Sequence, residues 1–171
     1  MIAKSLDVYV WLKLCIDRSG KTYAQLANDL GMSASEVHGA VRRGKAAGLV
    51  NTEEKRVVVP ALLDYLLHGV RYAFPAAPGR VVRGMPTGYA APCLAGEFAE
   101  TDLPAVWEHA EGDVRGQSLE PLHPSAPEAS KRDNKFYRAL ALVDAVRGGR
   151  ARERSAAAAR LKKLLSYDSD D

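Results

Sequence analysis

The chain has 171 residues, of which 47% are apolar and 26% charged, and a mass of 18.5 kDa. This composition is typical of a globular protein and excludes a disordered, collagen-like or coiled-coil chain. The net charge is +3, and the basic excess lies entirely in residues 1–60, because residues 61–171 hold fifteen basic and fifteen acidic side chains.

The cysteines and the length of the apolar stretches indicate the cellular compartment. The two cysteines, Cys15 and Cys93, lack the spacing of a metal site or a disulfide framework, which favours a reducing environment. The longest apolar stretches are about a dozen residues, whereas a membrane helix needs about 20. With no apolar signal segment at the start, we predict a cytoplasmic protein that does not contact membranes.

The first 50 residues predict three helices. Residues 5–18 carry an apolar stripe at helical spacing, formed by Val8, Trp11, Leu12 and Cys15. Thr22 with Gln25, and Ser33 with Glu36, each have the form of a capping box, so helices should begin at about residues 23 and 34. Gly31 suits the left-handed position that ends the second helix. The sequence therefore predicts two helices joined by a tight turn.

This spacing is that of a helix-turn-helix, in which small and apolar residues fix the crossing of the two helices. Val37, Ala40 and Val41 supply the inward face of the second helix. On its other side, we expect Ser33, Ser35, His38 and Arg42 to face base edges in a major groove, and Arg43 and Lys45 to contact phosphates.

After Gly48, residues 49–59 read as two short β runs around a polar turn, and Pro60 suits the start of a helix that ends near Phe74. With these additions the stretch TYAQLANDLGMSASEVHGAVRRGKAAGLV resembles the winged helix-turn-helix regulators of bacteria, of the MarR-like or IclR-like kind. The resemblance covers about residues 5–74. It implies wing contacts from Lys55 and Arg56, although Glu53 and Glu54 beside them depart from the family pattern and would repel phosphate.

Residues 75–127 hold eight of the nine prolines, which excludes long helices there. Short strands are predicted at residues 80–83 and 114–119. A helix should resume with Asp133 as its cap and stop at Gly148 and Gly149, and a basic helix should follow over residues 150–165. The segments RGMPTGYAAP and RGQSLEPLHPSAPEA resemble, more loosely, regulators that accompany AbiE-type nucleotidyltransferase toxins.

The basic helix belongs to a cluster of seven cationic residues against one acid, Glu153, over residues 147–163. Arg147, Arg150 and Arg154 have the spacing of one helical face, where like charges repel. We therefore expect this face to meet the DNA backbone or an acidic protein, the alternative being a solvated surface.

No catalytic residue, cofactor site or metal site is predicted. The histidines lack metal-ligand partners at helical or hairpin spacing, and GRVVRGMPTGYAAP lacks both the P-loop and the dinucleotide-binding pattern. We therefore predict a protein that is not an enzyme.

The predicted fold class is α+β. A winged helix-turn-helix over residues 1–74 precedes a proline-rich mixed domain over residues 75–165, which ends in two helices and serves dimerisation or partner binding; residues 166–171 form an acidic, disordered tail. The predicted function is sequence-specific binding of double-stranded DNA to regulate transcription, as a dimeric repressor.

Three alternatives are left open. The first is an antitoxin-like protein that binds a protein partner, such as a cognate toxin, through its second half and autoregulates its operon. The others are a winged fold used only for protein binding or packing, and an enzyme built on the proline-rich part. A homodimer would use one of two stripes, either of which could instead be core: Leu63, Leu66 and Val70, or Phe136, Leu140 and Val143.

Overall fold

The computed structural model describes residues 2–166, which form an α+β fold with eight α-helices and three short strands among the described residues. The helices are α1 (Ser5–Ile16), α2 (Tyr23–Leu30), α3 (Ala34–Ala46), α4 (Val59–His68), α5 (Val70–Ala73), α6 (Ala126–Arg132), α7 (Asn134–Gly148) and α8 (Ala151–Ser166). The strands are β1 (Pro78–Pro86), β2 (Ala105–Glu108) and β3 (Val114–Leu119). None of these helices combines the length and apolar character needed to cross a bilayer.

The local signals at the start of the chain are confirmed. Thr22 and Ser33 cap α2 and α3 through reciprocal bonds with Gln25 and Glu36, and Gly31 adopts the left-handed conformation at φ +67°. Helix α1 differs from its prediction, because all residues from Asp7 to Cys15 are buried and no face meets solvent. It is therefore a central helix and not an amphipathic one.

The predicted hairpin over residues 49–59 is present only in reduced form. Val50 and Val57 form a single antiparallel bridge, flanked by one backbone hydrogen bond on each side, from Asn51 to Arg56 and from Val58 to Leu49. Two β runs were predicted, and this was wrong because Val59 already begins α4, which leaves no room for a longer second strand. The helix expected to reach Phe74 is likewise divided at Gly69 into α4 and α5.

The proline-rich part folds as a small sheet. Strand β1 pairs antiparallel with both β2 and β3, and β2 pairs with β3 in parallel, so the three strands close into a barrel. Strand β3 has the predicted bounds, β1 is longer than predicted, and β2 was missed. Helix α6 was missed as well; it begins beside Pro127, a residue we took only as a helix breaker although proline is tolerated in the first turn.

One continuous core joins the two halves of the chain. Buried residues of α1, α2, α3 and α4 belong to the same apolar cluster as those of α7 and α8. The five residues Leu66, Val70, Phe136, Leu140 and Val143 are all at least 99% buried in it. The two stripes proposed as dimer surfaces are therefore core, with only Leu63 partly exposed, and neither is available to a second copy.

A buried polar network holds α7 to the barrel. Asp144 accepts hydrogen bonds from Thr87 Oγ1, Trp107 Nε1 and Arg147 Nη1, each at 2.7 Å. Arg147 also donates to the carbonyls of Phe74 and Glu120. Burial raises the pKa of Asp144, whereas the Arg147 guanidinium and the hydrogen bonds lower it. The Asp144–Arg147 ion pair thus connects α7 to strand β2 and to the residues that directly follow α5, β1 and β3.

This network corrects the predicted basic face. Arg147 is only 8% exposed and paired, and it lies in α7, whereas Arg154 lies in α8 and donates to the carbonyl of Gly149. The break at Gly148 and Gly149 separates the two helices, so Arg147, Arg150 and Arg154 do not share a helical face. The expected helix over residues 150–165 is confirmed as α8. The predicted tail begins at Ser166, the last residue of α8, and residues 167–171 lie outside the described residues.

The Asp144 network predicts a large effect on stability. Replacing Asp144→Asn removes the carboxylate and leaves the buried Arg147 charge uncompensated, so we expect the free energy of unfolding to fall by about 3–5 kcal/mol. Urea unfolding followed by circular dichroism measures it. Asp113→Asn, at an exposed carboxylate, serves as the control and should stay within about 0.5 kcal/mol of the parent protein. A change of less than 1 kcal/mol at Asp144 would contradict this account of the network.

Candidate nucleic-acid interface

The back of α3 is fixed to α1 by two side chains. Trp11 Nε1 donates to the Ala40 carbonyl at 2.9 Å, and the fully buried Asp7 accepts two hydrogen bonds from Arg43, from Nε and Nη2, at 2.7 Å each. Gly44 permits this close approach, because a Cβ there would lie 2.6 Å from the Trp11 indole nitrogen. Helix α3 therefore has one defined face toward the core and one toward solvent.

The solvent face of α3 carries Ser35, His38 and Arg42, all exposed as predicted. Their side chains form no hydrogen bond or ion pair with any residue between 2 and 166. A hydroxyl, an imidazole and a guanidinium at i, i+3 and i+7 on one exposed face can donate to base edges or to phosphates. These three side chains are the chemically available part of the predicted site.

Ser33 and Arg43, also predicted to contact DNA, are engaged within the protein. The Ser33 hydroxyl donates to Glu36 Oε2 and accepts from the Glu36 backbone N–H. Hydrogen bonds from the Ser33 N–H and hydroxyl also lower the pKa of Glu36, so this carboxylate is ionised at the start of α3. The Arg43 guanidinium is paired with Asp7, and the Arg43 side chain is only 15% exposed. Its N–H groups are therefore not available to bind a phosphate.

Lys45, predicted to contact phosphates, and the predicted wing residues Lys55 and Arg56 also have internal partners. Lys45 Nζ donates to the Thr52 carbonyl, and Lys55 Nζ donates to the Lys21 carbonyl at 2.8 Å. Arg56 pairs with Glu54, but both side chains are more than half exposed, and such a pair contributes little free energy. Of the two predicted wing contacts, Arg56 is exposed, whereas the Lys55 ammonium is bound to the Lys21 carbonyl; Lys45 of α3 is bound to the 50–57 segment through the Thr52 carbonyl.

Tyr23 is a residue of this surface that the sequence analysis missed. Its ring lies edge-on to the His38 imidazole, with centroids 5.3 Å apart, and the Lys55 ammonium lies 4.6 Å from its centroid. A cation over an aromatic face is attracted by about 0.5–1 kcal/mol at exposed sites. Tyr23 therefore links α3 to the 50–57 segment. In the sequence, Tyr23 indicated only the start of a helix, because it follows the capping residue Thr22. Its two contacts could not be predicted from local spacing, since His38 and Lys55 are at least fifteen positions away.

The second half of the chain supports the turn between α2 and α3. Ser125 Oγ donates to the Gly31 carbonyl at 3.0 Å, and Arg132 donates to the Asp29 carbonyl. From α1, Tyr9 OH donates to the Leu30 carbonyl, and the Tyr9 ring stacks on the His123 imidazole with centroids 5.0 Å apart. Burial lowers the pKa of His123, so this ring is neutral at pH 7. The turn is thus held from two sides.

A second cluster of polar groups lies away from this surface. His109, Glu111 and Glu128 bring metal-ligand atoms within 4.8 Å of one another, a grouping that spacing alone did not predict because Glu128 lies on α6. Lys131 donates to both glutamates. His109 Nδ1 accepts from the Glu111 N–H, so the neutral ring carries its proton on Nε2 and donates it to Glu128. These groups therefore satisfy one another.

Comparison with known proteins adds no relative, since no family model, curated protein or solved structure matches this chain.

The bracing of the turn predicts a difference between two glycines. Gly31 and Gly20 both have positive φ, at +67° and +75°, but a Cβ at Gly31 would lie 2.8 Å from Ser125 Oγ, whereas nothing lies within 4 Å of one at Gly20. We expect Gly20→Ala to cost about 1 kcal/mol from backbone conformation alone. Gly31→Ala should cost at least about 1 kcal/mol more, as measured by thermal unfolding. Equal losses in the two variants would show that Ser125 does not brace the turn.

Proposed function

We propose that this protein binds double-stranded DNA through the exposed face of α3, inserted in the major groove. The observation that carries the proposal is the asymmetry of α3. Its core-facing side is fixed to α1 by Asp7 and Trp11, while the side chains of Ser35, His38 and Arg42 are exposed and have no hydrogen-bond or ion-pair partner among the described residues. A rigid helix with free donors on one face suits a major groove about 12 Å wide.

The proposed unit is a winged helix-turn-helix formed by α1, α2, α3 and the short bridge of residues 50–57. Helix α2 and the Gly31 turn would place α3 across the groove, and Arg56 would be the wing's contact with the backbone. Glu54 pairs with Arg56, Glu53 precedes it in the same segment, and Glu36 lies in the first turn of α3, so acidic side chains accompany these cations in the proposed unit. Binding should therefore depend on few phosphate contacts and on specific donors, which supports sequence-specific binding and a role in transcription regulation.

Arg42 is expected to be the strongest single contributor to specificity. If its guanidinium donates to a guanine edge, Arg42→Ala should weaken binding to the specific site by about 1–3 kcal/mol without changing stability, because the side chain is exposed. Gel-shift titrations with the DNA upstream of its own gene measure the effect. Arg115→Ala, an exposed arginine on β3, removes the same charge as a control. Equal affinities of both variants would remove Arg42 from the interface.

We further propose that the DNA-binding form is a two-fold dimer. One recognition helix contacts only a few base pairs, whereas two copies about 34 Å apart bind a palindrome on one side of the duplex. Because both expected dimer stripes are core, the interface must use other residues. Among the described residues, the exposed large apolar side chains are Ile2, Tyr72, Val81 and Val58, at 87%, 74%, 41% and 39% exposure.

Multi-angle light scattering tests the dimer without DNA. The expected mass is twice the monomer mass of 18.5 kDa at micromolar concentration. Tyr72→Ser, at the largest of these exposed apolar side chains, should shift the equilibrium toward monomer if Tyr72 lies in the interface. A mass of one chain for the parent protein over the whole concentration range would contradict the dimer, and DNA binding by α3 would then have to be tested for a monomer.

A further inference from the structure

A cleft between α7 and α8 gathers four cationic side chains. Lys135 and Arg138 come from α7, and Arg160 and Lys163 from α8; each pair has i, i+3 spacing, so both point from one face of their helix. The cleft has a volume of about 460 Å³, within the range of small-molecule sites. Within the described residues, no acidic side chain lines it. The arrangement concentrates positive charge in a concave space.

Two of these cations are uncompensated within residues 2–166. Arg138 and Lys163 are exposed and have no hydrogen bond or ion pair with any residue in the range 2–166. Arg160, by contrast, pairs with Glu97 and donates to the Cys93 carbonyl, which fixes its position at the edge of the cleft. Like charges that line the same cleft repel one another, and an anion in the cleft would reduce the repulsion.

The floor of the cleft is apolar. Leu142 and Leu164 line it and are 1% and 9% exposed, and the half-buried thiol of Cys93 forms one wall. A neighbouring cavity of about 330 Å³ shares Cys93 and Arg138 and is lined by Tyr137 and Ala141. A ligand held by its anionic group between α7 and α8 would therefore have an apolar surface for the rest of its body.

We propose that this cleft binds a small phosphorylated molecule, with the phosphate between Arg138 and Lys163. Phosphate carries nearly two negative charges at pH 7, and arginine donates to it with two parallel N–H groups. A DNA duplex is a poorer occupant, because its phosphates lie on a convex surface, whereas the cleft is concave and also lined by the apolar side chains of Leu142 and Leu164. The site is independent of α3 and of the proposed DNA binding.

The test uses inorganic pyrophosphate as the probe with the full chain. The pocket variant is Arg138→Gln/Lys163→Gln. The control is Arg152→Gln/Lys162→Gln, which removes the same charge from exposed positions of α8 that do not line the cleft. Calorimetric titration should show binding to the parent protein and to the control, and a Kd at least about tenfold weaker for the pocket variant, because two charge-assisted contacts are lost.

Cys93 provides a second readout at the site itself. Burial raises the pKa of its thiol, so alkylation by iodoacetamide is followed at alkaline pH by mass spectrometry, with the buried Cys15 as an internal reference. Pyrophosphate should slow alkylation of Cys93 in the parent protein and the control but not in the pocket variant. Equal protection in all three proteins, or none in the parent, would overturn the proposal. Loss of DNA affinity in the pocket variant alone would also overturn it, since the cations would then contact the DNA backbone.

Discussion

The ion pair between Asp7 and Arg43 determines which side chains of α3 are exposed and can contact a partner. Asp7 is fully buried, and it accepts from the Lys4 N–H as well as from both Arg43 nitrogens. A buried carboxylate is tolerated only with such partners, and breaking one side typically costs 3–5 kcal/mol. The pair therefore holds α3 in one rotational setting, in which Val37 and Ala40 face α1 and His38 and Arg42 face solvent.

This dependence extends beyond the first 74 residues. Lys13, almost fully buried in α1, donates to Asp133 at the start of α7, and Tyr9 packs against Phe136. Ser125 and Arg132 hold the carbonyls at the end of α2. The helix pair is thus supported by the second half of the chain, and the Asp144 network in turn holds α7 to the barrel. Changes in the second half can therefore reach α3 through packed contacts.

Local signals explain which parts could be predicted from the sequence. The two capping boxes, the Gly31 turn and the Asp133 cap each depend on residues within four positions of one another, and all were found. Arg43 was assigned to phosphate because its spacing suited the outer face, but its partner Asp7 is 36 residues away. Arg147 was assigned to a basic surface, although its partner Asp144 lies only three residues earlier. The sequence did not indicate that both side chains are buried, because their burial depends on the barrel and strand β2 was missed.

The central claim is that the free face of α3 contacts DNA, and a titration followed by nuclear magnetic resonance tests it most directly. Isotopically labelled protein is titrated with a duplex from upstream of its gene, and backbone amide signals are followed. The account predicts that the largest shifts occur at Ser35, His38 and Arg42, while signals of Arg138 and Lys163 in the cleft between α7 and α8 stay unchanged. Shifts centred on α8, or no shifts at low salt, would contradict it.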